Sequence, residues 1–365
     1  MVFSGKQPDY NLRLIKPLVG TLASKGFGEG IKEETSNMKL LMHKLALVLF
    51  VVSLTLLTGG PQHLISGAAN TVAAQEWDDQ QKIDIYKRFV DNRIPNPTVA
   101  YQAARDFMTR YPKEKSEYSD YIKQWMMFYE RDERKTRLPI LINEKNFVEA
   151  YKVGNQILTD EPNYLRAQID LGYAGYIAAS AKNESFNTVA LDYARKAIRE
   201  IESGKAPTEW APFKGKDDTL AYLNYAVGFL TLKTTPDQSI DSLIKALQYE
   251  SEIRKTPSTY YFLAVGYESG PYKTLSTAFQ NTYANKPETP ESKAALEKLN
   301  VLMDRIIDAY ARAIAAAGTD PKTEQSRKEW LAQMTNYYKF RHGGSDAGLT
   351  EFIAAALSKP LPPKP

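Results

Sequence analysis

The strongest constraint in this 365-residue sequence is a spacing that returns along it. Ala150, Gly154 and Ile157 stand at i, i+4 and i+7, which places them on one face of a helix. Two of the three are small, and small residues on a buried face let a second helix approach closely. Pro162, twelve residues after Ala150, cannot continue that helix and marks the next start. Leu171-Gly172 and Gly175 then carry a tight seam on the following helix. Such a pair cannot bury its apolar face alone and needs neighbours of the same kind.

The spacing recurs. Ala100, Ala104 and Phe107 are followed by Pro112, and Ala309, Ala313 and Ala316 by Pro321, again twelve residues from the first alanine. Ala190, Ala194 and Ala197 repeat it without the proline, and Ser239, Leu243 and Ala246 repeat it more weakly. Tyr260, Leu263-Ala264 and Tyr267 supply a seam of large residues. From Gln81 to Pro321 these positions resemble the tetratricopeptide repeat (TPR) family, whose seam reads W-x2-L-G-x2-Y, then A-x3-F, then P. The family period is about 34 residues, whereas the starts at Ala100, Ala150, Ala190, Ser239 and Ala309 lie 50, 40, 49 and 70 apart. The repeats are therefore degenerate, with long inserts. The resemblance implies an all-α fold: a right-handed α-solenoid of antiparallel TPR-like helix hairpins.

Composition excludes several chemistries. There is no cysteine, so thiol catalysis, thiolate metal sites and disulfides are out. The three histidines are His43, His63 and His342, too few for a histidine-rich zinc site once the first two are removed with a leader. Met38 opens a second plausible beginning. Lys39, His43 and Lys44 form a basic region, and Leu45 to Leu57 is apolar except for Ser53 and Thr55. Gly59-Gly60-Pro61 ends it, and small residues at 71–74 offer a cleavage site. This is the layout of a secretory signal peptide over 38–74. Residues 1–37 read as an unstructured leader or an over-called start. The alternative is an uncleaved anchor, although the 13-residue apolar run is short of the ~20 a spanning helix needs. Cleavage leaves 40 basic and 39 acidic residues, a formal charge of +1. So neutral a body argues against binding nucleic acid.

The order of helices follows from periodicity and punctuation: 80–90, 98–110, 116–134, 145–159, 164–180, 188–201, 220–232, 238–250, 257–268, 292–317 and 323–340. Two breaks interrupt them, at 202–218 with Trp210 and Phe213, and at 269–290 with Phe279 and Tyr283. Ser345 and Asp346 can cap a short helix over 347–357, which reads as the C-terminal cap of the repeat domain 75–358. The tail 359–365 has four prolines and is expected to be extended. Its approach, 338–363, also resembles the end of exported repeat proteins.

No catalytic, metal or cofactor constellation is expected. His342-Gly343-Gly344-Ser345-Asp346 resembles an oxyanion segment, but no G-x-S-x-G elbow accompanies it, and a glycine stop before a helix cap explains it better. The acidic pairs Asp78-Asp79 and Asp217-Asp218 read as solvated. Among the 23 tyrosines, Tyr121, Tyr176 and Tyr267 read as core. The candidates for the concave groove of a repeat stack are Tyr173, Tyr222, Tyr225 and Tyr261, with Arg166, Gln168 and Asn224 beside them. Tyrosine and arginine suit peptide recognition because they combine area with a polar tip. The leading expectation is an exported, non-enzymatic scaffold for a protein or peptide partner, with no cofactor. One alternative is a small-molecule-binding protein or hydrolase using the aromatic loops. The other is a membrane-tethered spacer, which requires the N-terminal segment to stay uncleaved. N-terminal sequencing of the protein from its source cells should begin at Ala74 or Gln75; a sequence starting before Leu45 would establish the anchor instead.

Overall fold

The structure is a computed structural model, and it describes residues 80–365. The expected leader over 1–37 and signal peptide over 38–74 lie outside the described residues. Every regular element among the described residues is helical, and none is a strand. Among them, no helix is long and apolar enough to cross a membrane. The chain divides into two compact units, with the boundary between Tyr129 and Glu130.

The N-terminal unit holds α1 (Gln80–Asn92), α2 (Pro97–Arg110) and the first part of α3 (Glu117–Asn143). Pro97 opens α2 where its missing N–H costs nothing. The seam residues Ala100, Ala104 and Phe107 are fully buried, with Phe89 of α1 and Ile122 of α3. Small alanines let α1 and α2 close on each other, and the rings of Phe89, Tyr121 and Trp125 fill what remains, with Phe89–Trp125 centroids 5.2 Å apart. Tyr121, expected in the core, is half-buried, and its hydroxyl takes a hydrogen bond from Arg93.

The C-terminal unit, 130–365, begins with the rest of α3 and continues through α4 (Phe147–Asp160), α5 (Leu165–Ser180), α6 (Asn187–Glu202), α7 (Lys216–Thr231), α8 (Pro236–Gln248) and α9 (Pro257–Tyr267). A turn of π-helix, Glu268–Tyr272, leads into α10 (Lys273–Tyr283). Then come α11 (Pro290–Ala317), α12 (Glu324–Arg341) and α13 (Leu349–Ala355). Packing runs in a pattern: α5 with α6, α7 with α8, and α9 with α11, while α7 also lies on both α5 and α6, and α9 on α8. Prolines open α8, α9 and α11, and Thr289 and Ser292 cap α11 reciprocally.

The closest packing is between α5 and α6. A Cβ added to Gly175 would lie 2.0 Å from the Cβ of Ala190, and one on Gly172 would lie 2.7 Å from the backbone nitrogen of Ala194. Gly154 of α4 meets the Leu171 side chain instead. The main partner of α5 is therefore α6, not α4 as the Ala150–Pro162 spacing suggested. The seam residues Ala150, Ile157, Ala190, Ala194, Ala197, Ser239, Leu243, Ala246, Ala309 and Ala313 are all buried. Ala316 is only half-buried, because Ala317 takes the inward position one residue on.

Some boundaries differ from expectation. α3 continues past Arg134 and through Pro139 because Leu138, Leu141 and Ile142 bury against the α4 core. The expected break at 269–290 contains a helix, α10, with no fully buried residue. The break at 202–218 ends earlier, because Asp218 accepts the Lys214 amide (2.9 Å) and holds the start of α7. The His342 stretch ends α12: Gly344 N–H reaches Lys339 O at 2.8 Å, with Gly343 and Gly344 both at positive φ. The N-terminal residue of α13 is flanked by Gly348, not Ser345 or Asp346.

Gly175→Ala should destabilise the protein. Helix propensity favours alanine by about 1 kcal/mol, but forcing two backbones apart costs up to ~3 kcal/mol. The net loss of about 2 kcal/mol should appear as a lower denaturant midpoint. Ala150→Leu should cost ~1–3 kcal/mol by the same overpacking. Midpoints equal to the parent's would mean that neither residue lies in a seam.

Candidate functional site

The seven nominated residues fall on three helices: Arg166, Gln168 and Tyr173 on α5, Tyr222, Asn224 and Tyr225 on α7, and Tyr261 on α9. Most are already engaged. Arg166 is buried; its Nε bonds both oxygens of Asp170 at 2.9 Å, and its Nη1 reaches Glu209 Oε1 at 3.4 Å. Burial pushes the Asp170 carboxyl up, against the pull of Arg166. Gln168 is buried, donates to Pro162 O (3.3 Å) and leaves its Oε1 without a partner. Asn224 donates to Leu220 O at 2.8 Å.

The tyrosines come together as a band. Tyr173 meets Tyr222 edge-on at 5.6 Å and Tyr176 at the same distance. Tyr176 meets Tyr225 at 5.1 Å, and Tyr225 meets Phe262 at 6.1 Å. Tyr261 joins the band through Phe262 and stacks on Trp330 at 5.2 Å. Tyr222 and Tyr225 are buried, whereas Tyr173 and Tyr261 are half-exposed. Burial raises the phenol of Tyr222 to about 12 and those of Tyr173 and Tyr225 well above the ordinary value. Neutral rings suit packing and hydrogen bonding, not nucleophilic work at neutral pH.

The expected loop residues also come down onto this surface. Phe213 is buried against Tyr173 (5.5 Å) and Tyr222 (5.3 Å), and Trp210 is half-buried on the same core. Phe279 instead lies on α10, 5.4 Å from Tyr283. The two aromatic segments thus differ: 203–215 packs down, and α10 stays peripheral.

A second constellation was not anticipated. Pro271 lacks an N–H, and the helix widens around it so that Lys273 N–H bonds Glu268 O across five residues. That turn places the half-buried Glu268 side chain between α11 and α12. Tyr310 donates to its Oε2 (3.1 Å) and Gln333 to its Oε1 (3.2 Å). Tyr272 packs edge-on against Tyr337 at 5.7 Å, and Tyr261 approaches Tyr310 at 6.3 Å. Among the described residues, no lysine or arginine pairs with Glu268. Burial raises its carboxyl above the usual glutamate value, against the Gln333 and Tyr310 donors. A carboxylate has about four acceptor sites, so these two hydrogen bonds leave acceptor capacity unused. The exposed Gln333 and half-exposed Tyr272 and Tyr337 mark the open side.

The sequence did carry a signal for this site. Glu268 has no basic residue at i±3 or i±4, where Ala264, Val265, Pro271 and Tyr272 stand. An unpaired carboxylate beside two tyrosines and a proline is worth testing as a site. Its contacts, however, come from residues 42 and 65 positions away, which no local pattern shows. Among the described residues, no group of three or more histidines or carboxylates is placed to hold a metal.

The folded Glu268 carboxyl binds its proton at higher pH than the unfolded one, whose value lies near 4.5. Above that value the folded state holds more protons, so stability falls as pH rises through the window up to the raised value. Glu268→Gln removes this slope. The stability of the variant relative to the parent should rise as pH increases from the unfolded value near 4.5 to the raised folded value, read from denaturant midpoints. A difference independent of pH would place Glu268 in solvent.

No family model matches the chain, and neither a curated protein nor a solved structure matches it.

Proposed function

We propose that this chain is an exported helical-repeat scaffold that binds a protein or peptide partner and takes a basic group of that partner at Glu268. The pairs α5–α6, α7–α8 and α9–α11 are read as degenerate TPR-like hairpins in a right-handed stack, with α13 covering the last seam. The 0/4/7 alanines, buried except for Ala316, and the double contact of α7 on α5 and α6 support that reading. The observation that carries the function is the half-buried Glu268 carboxylate, ringed by Tyr261, Tyr272, Tyr310 and Tyr337 and without a basic partner among the described residues. Aromatic faces attract a cation, and a partly desolvated carboxylate adds a charge-assisted hydrogen bond.

The same carboxyl favours a second reading. A glutamic acid whose carboxyl is raised by burial can act as a general acid in a hydrolase. The two readings part on one variant. With a photo-cross-linking residue at Gln333, the parent should trap a partner from source-cell extract through a lysine- or arginine-containing segment. The trap should vanish in Glu268→Gln, and the same cross-linker at the exposed Val148 should not capture that partner. A trap unaffected by Glu268→Gln would remove the basic-group site. Loss of a turnover with retained ligand binding would favour the hydrolase.

A further inference from the structure

The last seven residues, Lys359–Pro365, have no regular structure, yet they are held along the fold. Leu361 packs on the main core of the unit and is half-buried, as is Pro362. Arg312 of α11, only 3% exposed, donates Nη1 to Lys359 O (3.1 Å) and Nη2 to Pro360 O (2.8 Å). Asp308, one turn earlier, fixes the same guanidinium through Nε at 2.7 Å. Arg305 Nε donates to Pro363 O at 2.9 Å. Lys364 Nζ closes the row on Asp241 of α8, at 2.7 Å.

The chemistry of the two sides is complementary. Proline has no N–H, so a proline-rich strand offers carbonyl acceptors and little else. Arginine offers only donors. The spacing agrees as well. Arg305 and Arg312 are seven residues apart on one helix face, about 10.5 Å along the axis. An extended proline-rich strand rises about 3.1 Å per residue, which sets the Pro360 and Pro363 carbonyls about 9 Å apart. The rows match only if the strand runs opposite to α11. It does, since Arg312 takes the first carbonyls and Arg305 the last.

The geometry points to a peptide-binding site: we propose that the strip of Arg305, Arg312 and Asp241 binds a proline-rich extended segment of a partner that carries a basic residue just after its prolines. The chain's own tail is the resident occupant of that strip and competes with the partner. The site reads backbone carbonyls, an apolar side chain at the Leu361 position and a cation at the Lys364 position. It lies on α8 and α11, and it is separate from the Glu268 site. A short tether gives the tail an effective concentration of about 1 mM. Because the tail is docked, the same peptide supplied free should bind a vacated strip with a dissociation constant below about 1 mM.

The probe is a fluorescein-labelled synthetic peptide with the sequence of residues 358–365, read by anisotropy against the full chain. Leu361→Ser with Lys364→Glu loosens the resident tail and should bind the probe at least about ten-fold more tightly than the parent does. Adding Arg305→Gln should then cost about ten-fold, the loss of one charge-assisted hydrogen bond. Glu268→Gln should leave probe affinity unchanged, so failure here is distinct from failure of the Glu268 site. Should the loosened chain not fold, amide chemical shifts of the parent serve: excess peptide should move the Leu361 and Lys364 signals towards those of the free peptide. No saturable binding by a folded, loosened chain up to about 1 mM, equal affinity for parent and loosened chain, or unchanged shifts would each overturn the proposal.

Discussion

The close approach of α5 and α6 governs the C-terminal unit. With Gly172 and Gly175 facing Ala194 and Ala190, the two helix backbones come nearly into contact. Nothing larger than hydrogen fits on Gly175 unless one helix moves. This fixes more than one pair. α7 packs on both α5 and α6, α8 on α7, and α9 on α8. A displacement at the glycine seam would therefore pass to each later helix. It would also part the rings of Tyr176, Tyr225 and Phe262, which join α5, α7 and α9.

Buried charge is handled by the same economy of local partners. Arg166 pairs with Asp170, and Arg312 with Asp308, each four residues apart on one helix. Such a pair enters the interior with its partner already attached, so neither ion is left uncompensated when helices pack. Removing one member of a buried pair typically costs about 3–5 kcal/mol. Glu268 departs from this scheme. Its helical neighbours are apolar or aromatic, and its hydrogen bonds come from hydroxyl and amide donors on other helices. Burial raises its carboxyl against those neutral donors, as it raises Asp170 against Arg166.

The seams were legible because a small-residue contact demands a definite spacing. Ala100, Ala150, Ala190 and Ala309 and their i+4 partners are buried where periodicity put them. Pro257 was legible as a start, since an N1 proline loses nothing, whereas Pro97, Pro236 and Pro290 open helices just ahead of the expected starts and Pro162 stands three residues before α5. Other features were hidden. Leu165 to Gly172 and Asp218 to Gly228 are buried without interruption. A helix buried all round has no polar face, so its pattern does not show which side meets a neighbour and which a ligand. The groove candidates on α5 and α7 fell under that ambiguity. α10 was hidden for the opposite reason: Gly270, Pro271, Pro287 and Pro290 look like a continuous break. One widened turn absorbs Pro271, so a helix follows where a loop was expected.

The burial of α5 and α7 also bears on where a ligand can go. The segment 203–215 lies over them, with Phe213 against Tyr173 and Tyr222 and Glu209 against Arg166. A partner addressing that part of the band would have to displace a buried aromatic ring and an ionic contact, a cost it would have to recover from its own interactions. No such obstacle stands at the other end of the same unit. Tyr261, Tyr272 and Tyr337 remain half-exposed there, beside a carboxylate with spare acceptor capacity. A ligand at that end would require no rearrangement of the core. α11 contributes to it with Tyr310, while its Arg305 and Arg312 hold the tail. Five residues separate Arg305 from Tyr310, about 140° around a helix, so one helix serves the two surfaces on different faces.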